Sequence, residues 1–241
     1  MAVRADDTGF GGLVIFQDPD AFCYGVDAVL LAGFTAERLR NADRVADLGT
    51  GNGIIPLILA HKTDVSELVG VDIQPGSLEL ARRTAEVNGL SGRLSYIESD
   101  ITKLPSGLNS TFSAVTCNPP YKKSGSGLPG KSPAKHTARH ETTAGLSDFL
   151  EVMARLLKPR GEAFMIHRPE RMTDLICFAR TAGIEPKELC FVSGHRGEAP
   201  NLVLVRMIKG GAPGIKVLAP LHVRENDGRY SDELLRIYER A

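Results

Sequence analysis

Arg44-Val45-Ala46-Asp47-Leu48-Gly49-Thr50-Gly51-Asn52-Gly53 is a short apolar run that breaks into three glycines at alternate positions. An apolar stretch of helical character, 54–61, follows at once. The order is strand, tight turn, helix. Glycine lets the backbone turn sharply and approach a ligand closely. The amides that open the helix behind the turn can hold an anionic group. The spacing is G-x-G-x-G, which differs from the G-x-G-x-x-G of the nicotinamide fingerprint, and no Lys-Ser/Thr closes the loop as in a triphosphate cradle. Asp47, two residues before the first glycine, repels a pyrophosphate and favours a ligand with an ammonium group.

Downstream the same alternation continues. Strands are expected over 68–73, 94–98, 112–117 and 162–167, with helices over 77–88, 146–157 and 170–182. Gly89 and Gly183 sit where helix ends favour glycine, and Lys158-Pro159-Arg160-Gly161 reads as the stop after the middle helix. The last strands, 189–193 and 202–208, are joined by a connection too short for a crossover helix, so that pair is antiparallel. Alternating strands and helices imply an α/β fold. The expectation is a Rossmann-like seven-stranded sheet, mostly parallel with an antiparallel last strand and helices on both faces. Upstream, 10–16 reads as a strand, 17–20 as a turn, and Asp27 as the cap of a helix carrying Val29, Leu30, Leu31 and Phe34. Three parts result: an extension over 1–43 packing on the core, a main domain over 44–210, and a tail over 211–241 with a short helix from Ser231.

Ligands in such a sheet sit at the C-terminal ends of the strands. Asp47, Asp72 and Asp100 close three successive strands. Asp72 stands where dinucleotide sites place an acid on ribose hydroxyls, and Asp100 could accept from an adenine amine. Either acid alone reads equally as a helix cap or a solvated charge. Together with the glycine turn they describe a ligand with ribose hydroxyls, an adenine, an ammonium group and no phosphate. S-adenosylmethionine (SAM) fits.

The fourth strand runs into Val115-Thr116-Cys117-Asn118-Pro119-Pro120-Tyr121. Consecutive prolines cannot donate to a sheet ladder and stiffen the chain on either side. The strand therefore stops at Asn118. An amide, two proline carbonyls and an aromatic ring are presented in one row, able to grip a planar group that carries an NH2. Taken alone, the same residues also read as a proline-rich turn.

Asp-Leu-Gly-Thr-Gly-Asn-Gly at 47–53 resembles motif I of class I SAM-dependent methyltransferases. Asn-Pro-Pro-Tyr at 118–121 resembles motif IV of the subset that methylates amino groups conjugated to a π system. Tyr24-Gly25-Val26-Asp27-Ala28-Val29-Leu30-Leu31-Ala32, Arg139-His140-Glu141 and Gly197-Glu198-Ala199-Pro200-Asn201 are similar to the valine-tRNA adenine-N6 methyltransferase family. The resemblance implies SAM as cofactor, held by Asp27, Asp47, Gly49, Thr50, Gly51, Asn52, Gly53, Asp72, Ile73, Asp100, Ile101 and Asn118. It implies Asn118, Pro119, Pro120 and Tyr121 as the catalytic set and RNA, in particular tRNA, as partner. An exocyclic adenine nitrogen is a poor nucleophile because its lone pair is delocalised. Hydrogen bonds to the Asn118 oxygen and the Pro119 carbonyl would localise that pair and aim it at the methyl group, a matter of positioning and electrostatics. Tyr121 would stack on the base, worth roughly 1–3 kcal/mol, once the base has left its own stack. Release-factor glutamine methyltransferases also carry Asn-Pro-Pro-Tyr, but they begin with a helical domain for which the stretch before Arg44 leaves no room. A DNA or rRNA adenine methyltransferase, and a binding module without catalysis, are the remaining readings.

Residues 122–140 carry five Lys/Arg, two His and no acid. Lys122, Lys123, Lys135, Arg139 and His140 are the expected RNA contacts. His136 and His140 have i, i+4 spacing but no evident third ligand, so no metal is expected. The chain has 241 residues, 24% of them charged, and a formal net charge of +0, which argues against coating nucleic acid by charge alone. No apolar signal core or membrane-length run is present. The four cysteines match no zinc template and sit among apolar neighbours, as buried free thiols in a reducing cytoplasm.

Overall fold

The computed structural model describes residues 3–20, 23–39, 42–121 and 144–240. The chain opens with an antiparallel hairpin, β1 (Arg4–Asp7) and β2 (Val14–Gln17), followed by helix α1 (Val26–Ala36). From β3 (Arg44–Leu48) strands and helices alternate through α2 (Ile54–Lys62), β4 (Glu67–Asp72), α3 (Pro75–Val87), β5 (Leu94–Glu98) and β6 (Phe112–Cys117). Then come α4 (Leu146–Leu156), β7 (Leu157–His167), α5 (Met172–Thr181), β8 (Ile184–His195) and β9 (Leu202–Lys209). The tail contributes β10 (Lys216–Val217), β11 (Leu221–Arg224) and α6 (Asp232–Ile237).

The sheet runs β5-β4-β3-β6-β7-β9-β8, with β10 and β11 both along the outer edge of β8. Strands β5, β4, β3, β6 and β7 are mutually parallel, and β9 lies antiparallel between β7 and β8. All seven expected strands are present in the expected sense, and the two short tail strands lengthen the sheet to nine. Alternation along each strand builds two cores. On β7, Ala163 and Met165 face α4 and α5, while Phe164 and Ile166 face α1 and α2. β9 repeats the pattern, with Val203 and Val205 on one face and Leu202 and Leu204 on the other. Both faces being covered, the central strands are mostly apolar, with Asp47, Asp72 and Thr116 as buried polar exceptions.

Four local expectations are corrected. The N-terminal strand over 10–16 is instead the β1–β2 hairpin, because Gly9, Gly11 and Gly12 all take positive φ and turn the chain at Phe10. The backbone of β2 then finds partners on α3 and on Asn88, the residue that caps it. Val14 N–H donates to Asn88 Oδ1 at 3.0 Å and Phe16 N–H to Thr84 Oγ1 at 3.0 Å. The stretch 158–161 does not separate helix from strand. It bulges inside β7, where the register with β6 jumps between Phe112 and Ala114, and Arg160 takes φ 65°. Gly25, not Asp27, is the N-cap of α1; Asp27 is the second helical residue. Of the four thiols Cys117 and Cys190 are buried, Cys23 is half-buried and Cys177 is exposed. Among the described residues no helix is long and apolar enough to cross a membrane.

Candidate active site

Register decides which turns meet. Leu48 pairs with Cys117 on β6 and with Val71 on β4. Gly49, Asn118 and Asp72 therefore leave three neighbouring strands side by side, at the point where the strand order reverses. A cavity of about 380 Å³ opens there, in the crevice that open α/β sheets offer to ligands.

The glycine turn forms one wall. Gly49 N–H and Thr50 N–H both donate to the Val71 carbonyl, at 2.8 and 3.0 Å. Gly49 and Gly51 take φ of 71° and 55°, and a Cβ added to either meets no atom within 4 Å. The backbone is thus bare toward the cavity. Gly53 differs: its Cβ would lie 2.7 Å from the Tyr96 hydroxyl, so this glycine serves packing behind the turn. Asp72 Oδ2 accepts from Gly51 N–H at 2.8 Å, and its Oδ1 from Gln74 N–H at 2.9 Å. Burial pushes the Asp72 carboxyl up, against those backbone hydrogen bonds. Each oxygen has a second lone pair for a hydroxyl donor. Asp100 caps the 3₁₀ turn Ile101–Lys103, its Oδ1 accepting from Thr102 N–H at 2.9 Å, which holds its carboxyl below the usual range. It is cap and cavity wall at once.

Asp47 is displaced from the expected position. It is 2% exposed and does not line the cavity. Thr116 Oγ1 donates to its Oδ1 at 2.7 Å, while Oδ2 makes no geometrically complete hydrogen bond among the described residues. Burial pushes this carboxyl up to about 7, with the Thr116 hydrogen bond opposing. The Thr50 hydroxyl is buried behind the turn, beside Asp47 and against Gly70. A bare glycine backbone and an acid with spare lone pairs at the next strand end fit a ligand such as SAM, with hydroxyls to donate. Asn52, Ile73 and Ile101 also line the cavity. The amide of Asn52 donates to Gln17 Oε1 at 3.4 Å, tying the turn to the N-terminal hairpin.

Asn118, Pro119, Pro120 and Tyr121 form the facing wall. Asn118 Nδ2 donates to Asp27 Oδ2 at 3.1 Å. The Tyr121 hydroxyl shares its one hydrogen between two acceptors, Asn118 Oδ1 at 2.7 Å and Asp27 Oδ2 at 3.1 Å. Burial pushes the Tyr121 phenol up, with the Asp27 charge adding to it. Its ring meets His167 edge-on at 5.5 Å, and the Arg168 guanidinium lies 5.2 Å from the ring centre. His167 is buried and packs here; desolvation lowers its pKa, and its Nδ1 accepts from Arg168 N–H at 2.8 Å. Arg168 and Phe149 line the cavity without having been singled out from sequence, and Tyr24 lines it too, though the sequence marks it only as part of the stretch 24–32. Arg168 follows the last residue of β7, so the rule that found Asp72 and Asn118 would have found it too. Lys122, Lys123, Lys135, Arg139 and His140 lie outside the described residues. Among the described residues no group of three His, Cys, Asp or Glu is placed to hold a metal ion.

Residues 39–215 match the family model described as a methyltransferase domain. A tRNA1(Val) (adenine(37)-N6)-methyltransferase from Tolumonas auensis is 31% identical over 224 residues, which are 92% of this chain and 91% of that one. The protein of the same name from Porphyromonas gingivalis strain W83 is 32% identical over 234 residues, covering 93% and 90%. Among solved structures, a predicted O-methyltransferase from Agrobacterium tumefaciens superposes with a TM-score of 0.70 at 24% identity, over 89% of this chain and 97% of that one. TYW2 from P. horikoshii, solved in complex with MeSAdo, gives 0.61 at 12% identity, over 87% and 72%. With that match across most of both chains, on a sheet whose order, reversal point and antiparallel strand are those described, the chain belongs to the SAM-dependent class I methyltransferases, in the tRNA1(Val) (adenine(37)-N6)-methyltransferase family.

Proposed function

We propose that this protein transfers a methyl group from SAM to the exocyclic N6 amine of an adenosine in tRNA, with the anticodon-adjacent position named for its relatives as the leading target. The observation that carries this is the pairing of Leu48 with Cys117, which brings the bare glycine turn and Asn118 into one cavity. SAM, when bound, supplies an electrophilic methyl on a sulfonium centre. The rest is work for this chain's own groups. Asn118 Oδ1 has one lone pair engaged by the Tyr121 hydroxyl and a second for an amine hydrogen. The Pro119 carbonyl takes the other hydrogen. Two such bonds draw the nitrogen lone pair out of the ring and stabilise the positive charge that grows on nitrogen. No strong base is required, because the proton leaves after the nitrogen has become cationic. Tyr121 offers its ring to the base, and Arg168 stands beside that ring as a cation for the neighbouring phosphate. Action on tRNA suggests the cytoplasm as the place of work.

The test is transfer from labelled SAM to total tRNA, total rRNA, DNA or a release factor, with the labelled nucleoside or residue identified. N6-methyladenosine in tRNA is the expected product. Label in glutamine or in DNA would overturn the proposal. Asn118→Ala should keep SAM affinity, read by calorimetry, and lose transfer. Wild-type transfer by that variant would remove the amide from its assigned role.

A further inference from the structure

The carboxylate that sets the catalytic amide lies far upstream in sequence. Asp27 sits in the first turn of α1, with Oδ1 accepting from Ala28 N–H at 3.0 Å and Oδ2 accepting from Asn118 Nδ2 at 3.1 Å and facing the Tyr121 hydroxyl at 3.1 Å. An ionised carboxylate accepts and never donates. Only the NH2 edge of Asn118 can therefore face it. The amide oxygen is left pointing the other way, with Tyr121 on one lone pair and the second free for substrate. Asn118 could otherwise present either edge, and the NH2 edge would repel an amine.

A second observation concerns Gly25. Its φ of −112° and ψ of 179° are extended backbone that any residue adopts, so no conformational reason calls for glycine. Space does: a Cβ at position 25 would lie 2.7 Å from Asp27 Oδ1. Glycine leaves the room that the carboxylate occupies.

Resting on the adenine-N6 reading above, we propose that Asp27 is the positioning residue of the amine clamp: from the N-terminus of α1 it fixes the orientation of the Asn118 amide and polarises it, in space that Gly25 leaves open. A negative charge at the amide NH2 draws electrons toward the amide oxygen, and hydrogen bonds in such a chain strengthen one another. The oxygen then becomes a stronger acceptor as the target nitrogen gains positive charge. This role differs from cofactor binding, which the sequence resemblance implied for Asp27. Among the described residues the carboxylate's side-chain partners are Asn118 and Tyr121.

The experiment compares Asp27→Asn, Asp27→Ala and Gly25→Ala with wild type, measuring kcat, KM for tRNA, SAM affinity by calorimetry, and Tm. Asp27→Asn keeps the shape but offers an NH2 as readily as an oxygen. Its kcat should fall roughly tenfold to a hundredfold, with SAM affinity and KM for tRNA at wild-type values. Gly25→Ala should reproduce the kcat loss with Asp27 intact, because the carboxylate is pushed aside. Wild-type kcat in Asp27→Asn overturns the proposal. So does loss of SAM affinity with kcat intact at saturation, which would make Asp27 a cofactor ligand. Should Asp27→Ala fail to fold, the near-isosteric Asn variant and Gly25→Ala still decide. A wild-type protein that methylates no tRNA would remove the functional reading itself, whereas active wild type with an equally active Asp27→Asn removes this proposal alone.

Discussion

Asp47 shows what one buried acid does to the whole molecule. Burial, the main cause, pushes its folded pKa up to about 7, well above the ordinary aspartate value of about 3.9. The native state therefore holds a proton that the unfolded chain releases between those values. Stability falls wherever the native state binds more protons, so the unliganded protein loses stability as pH rises from about 4 to about 7. The full effect is on the order of 4 kcal/mol. Asparagine in place of Asp47 removes the titration but keeps an oxygen for Thr116. The difference in Tm between Asp47→Asn and wild type should therefore grow in favour of the variant between pH 5 and pH 8. A pH-independent difference would show that Asp47 is not held protonated. Asp47 was visible in the sequence as an acid before a glycine turn. Its withdrawal behind the turn was not, because Thr116 comes from a strand 69 residues away and reaches it only through the β3–β6 pairing.

At the scale of the element, the glycine turn divides into two functions that its spacing hides. Gly49 and Gly51 open onto the cavity, whereas Gly53 is walled in by Tyr96 and by Ala81, whose Cβ would stand 3.1 Å away. In Gly51→Ala the positive φ of 55° costs about 1–2 kcal/mol, and the new methyl group projects into the space the methyl donor needs. SAM affinity should drop far more than stability. Gly53→Ala meets the same strain, with φ at 82°, plus overpacking worth about 1–3 kcal/mol, so stability should fall first. Thermal melts and calorimetric SAM titrations of the pair check this, and the reverse ranking would refute the division. The elements themselves were legible: seven strands, their order along the chain and the stop at Asn118 followed from apolar runs, glycines and prolines. What escaped were irregularities. The hairpin at 4–17 depends on side chains of α3 and its C-cap that satisfy the edge of β2, and the bulge at 158–161 depends on pairing with β6. Local pattern carries neither.

For the molecule as a whole, the open question is whether the tail is an appendage. Its polar, proline-containing start reads as a loop, and the helix from Ser231 as a short afterthought. The packing says more. β10 and β11 run along the edge of β8, and the Ser231 hydroxyl accepts from Leu234 N–H at 3.1 Å to cap α6. Leu234 is 1% exposed and belongs to the same core as Leu30, Leu31 and Leu57. Ile237 crosses α1 so closely that a Cβ on Gly33 would fall 2.7 Å from its Cγ2. The helix that presents Asp27 to the amine clamp is thus pressed against the sheet from outside by the tail. If tail and core melt as one unit, Leu234→Ala removes core contacts worth about 2–5 kcal/mol. The single transition should then fall by roughly 5–20 °C. If the tail is separate, the main transition stays in place and a small one appears below it. Differential scanning calorimetry distinguishes the two. The cooperative outcome is expected because Leu234 shares neighbours with α1, and α1 cannot lose that support without loosening the face of the sheet on which β7 and β9 also rest.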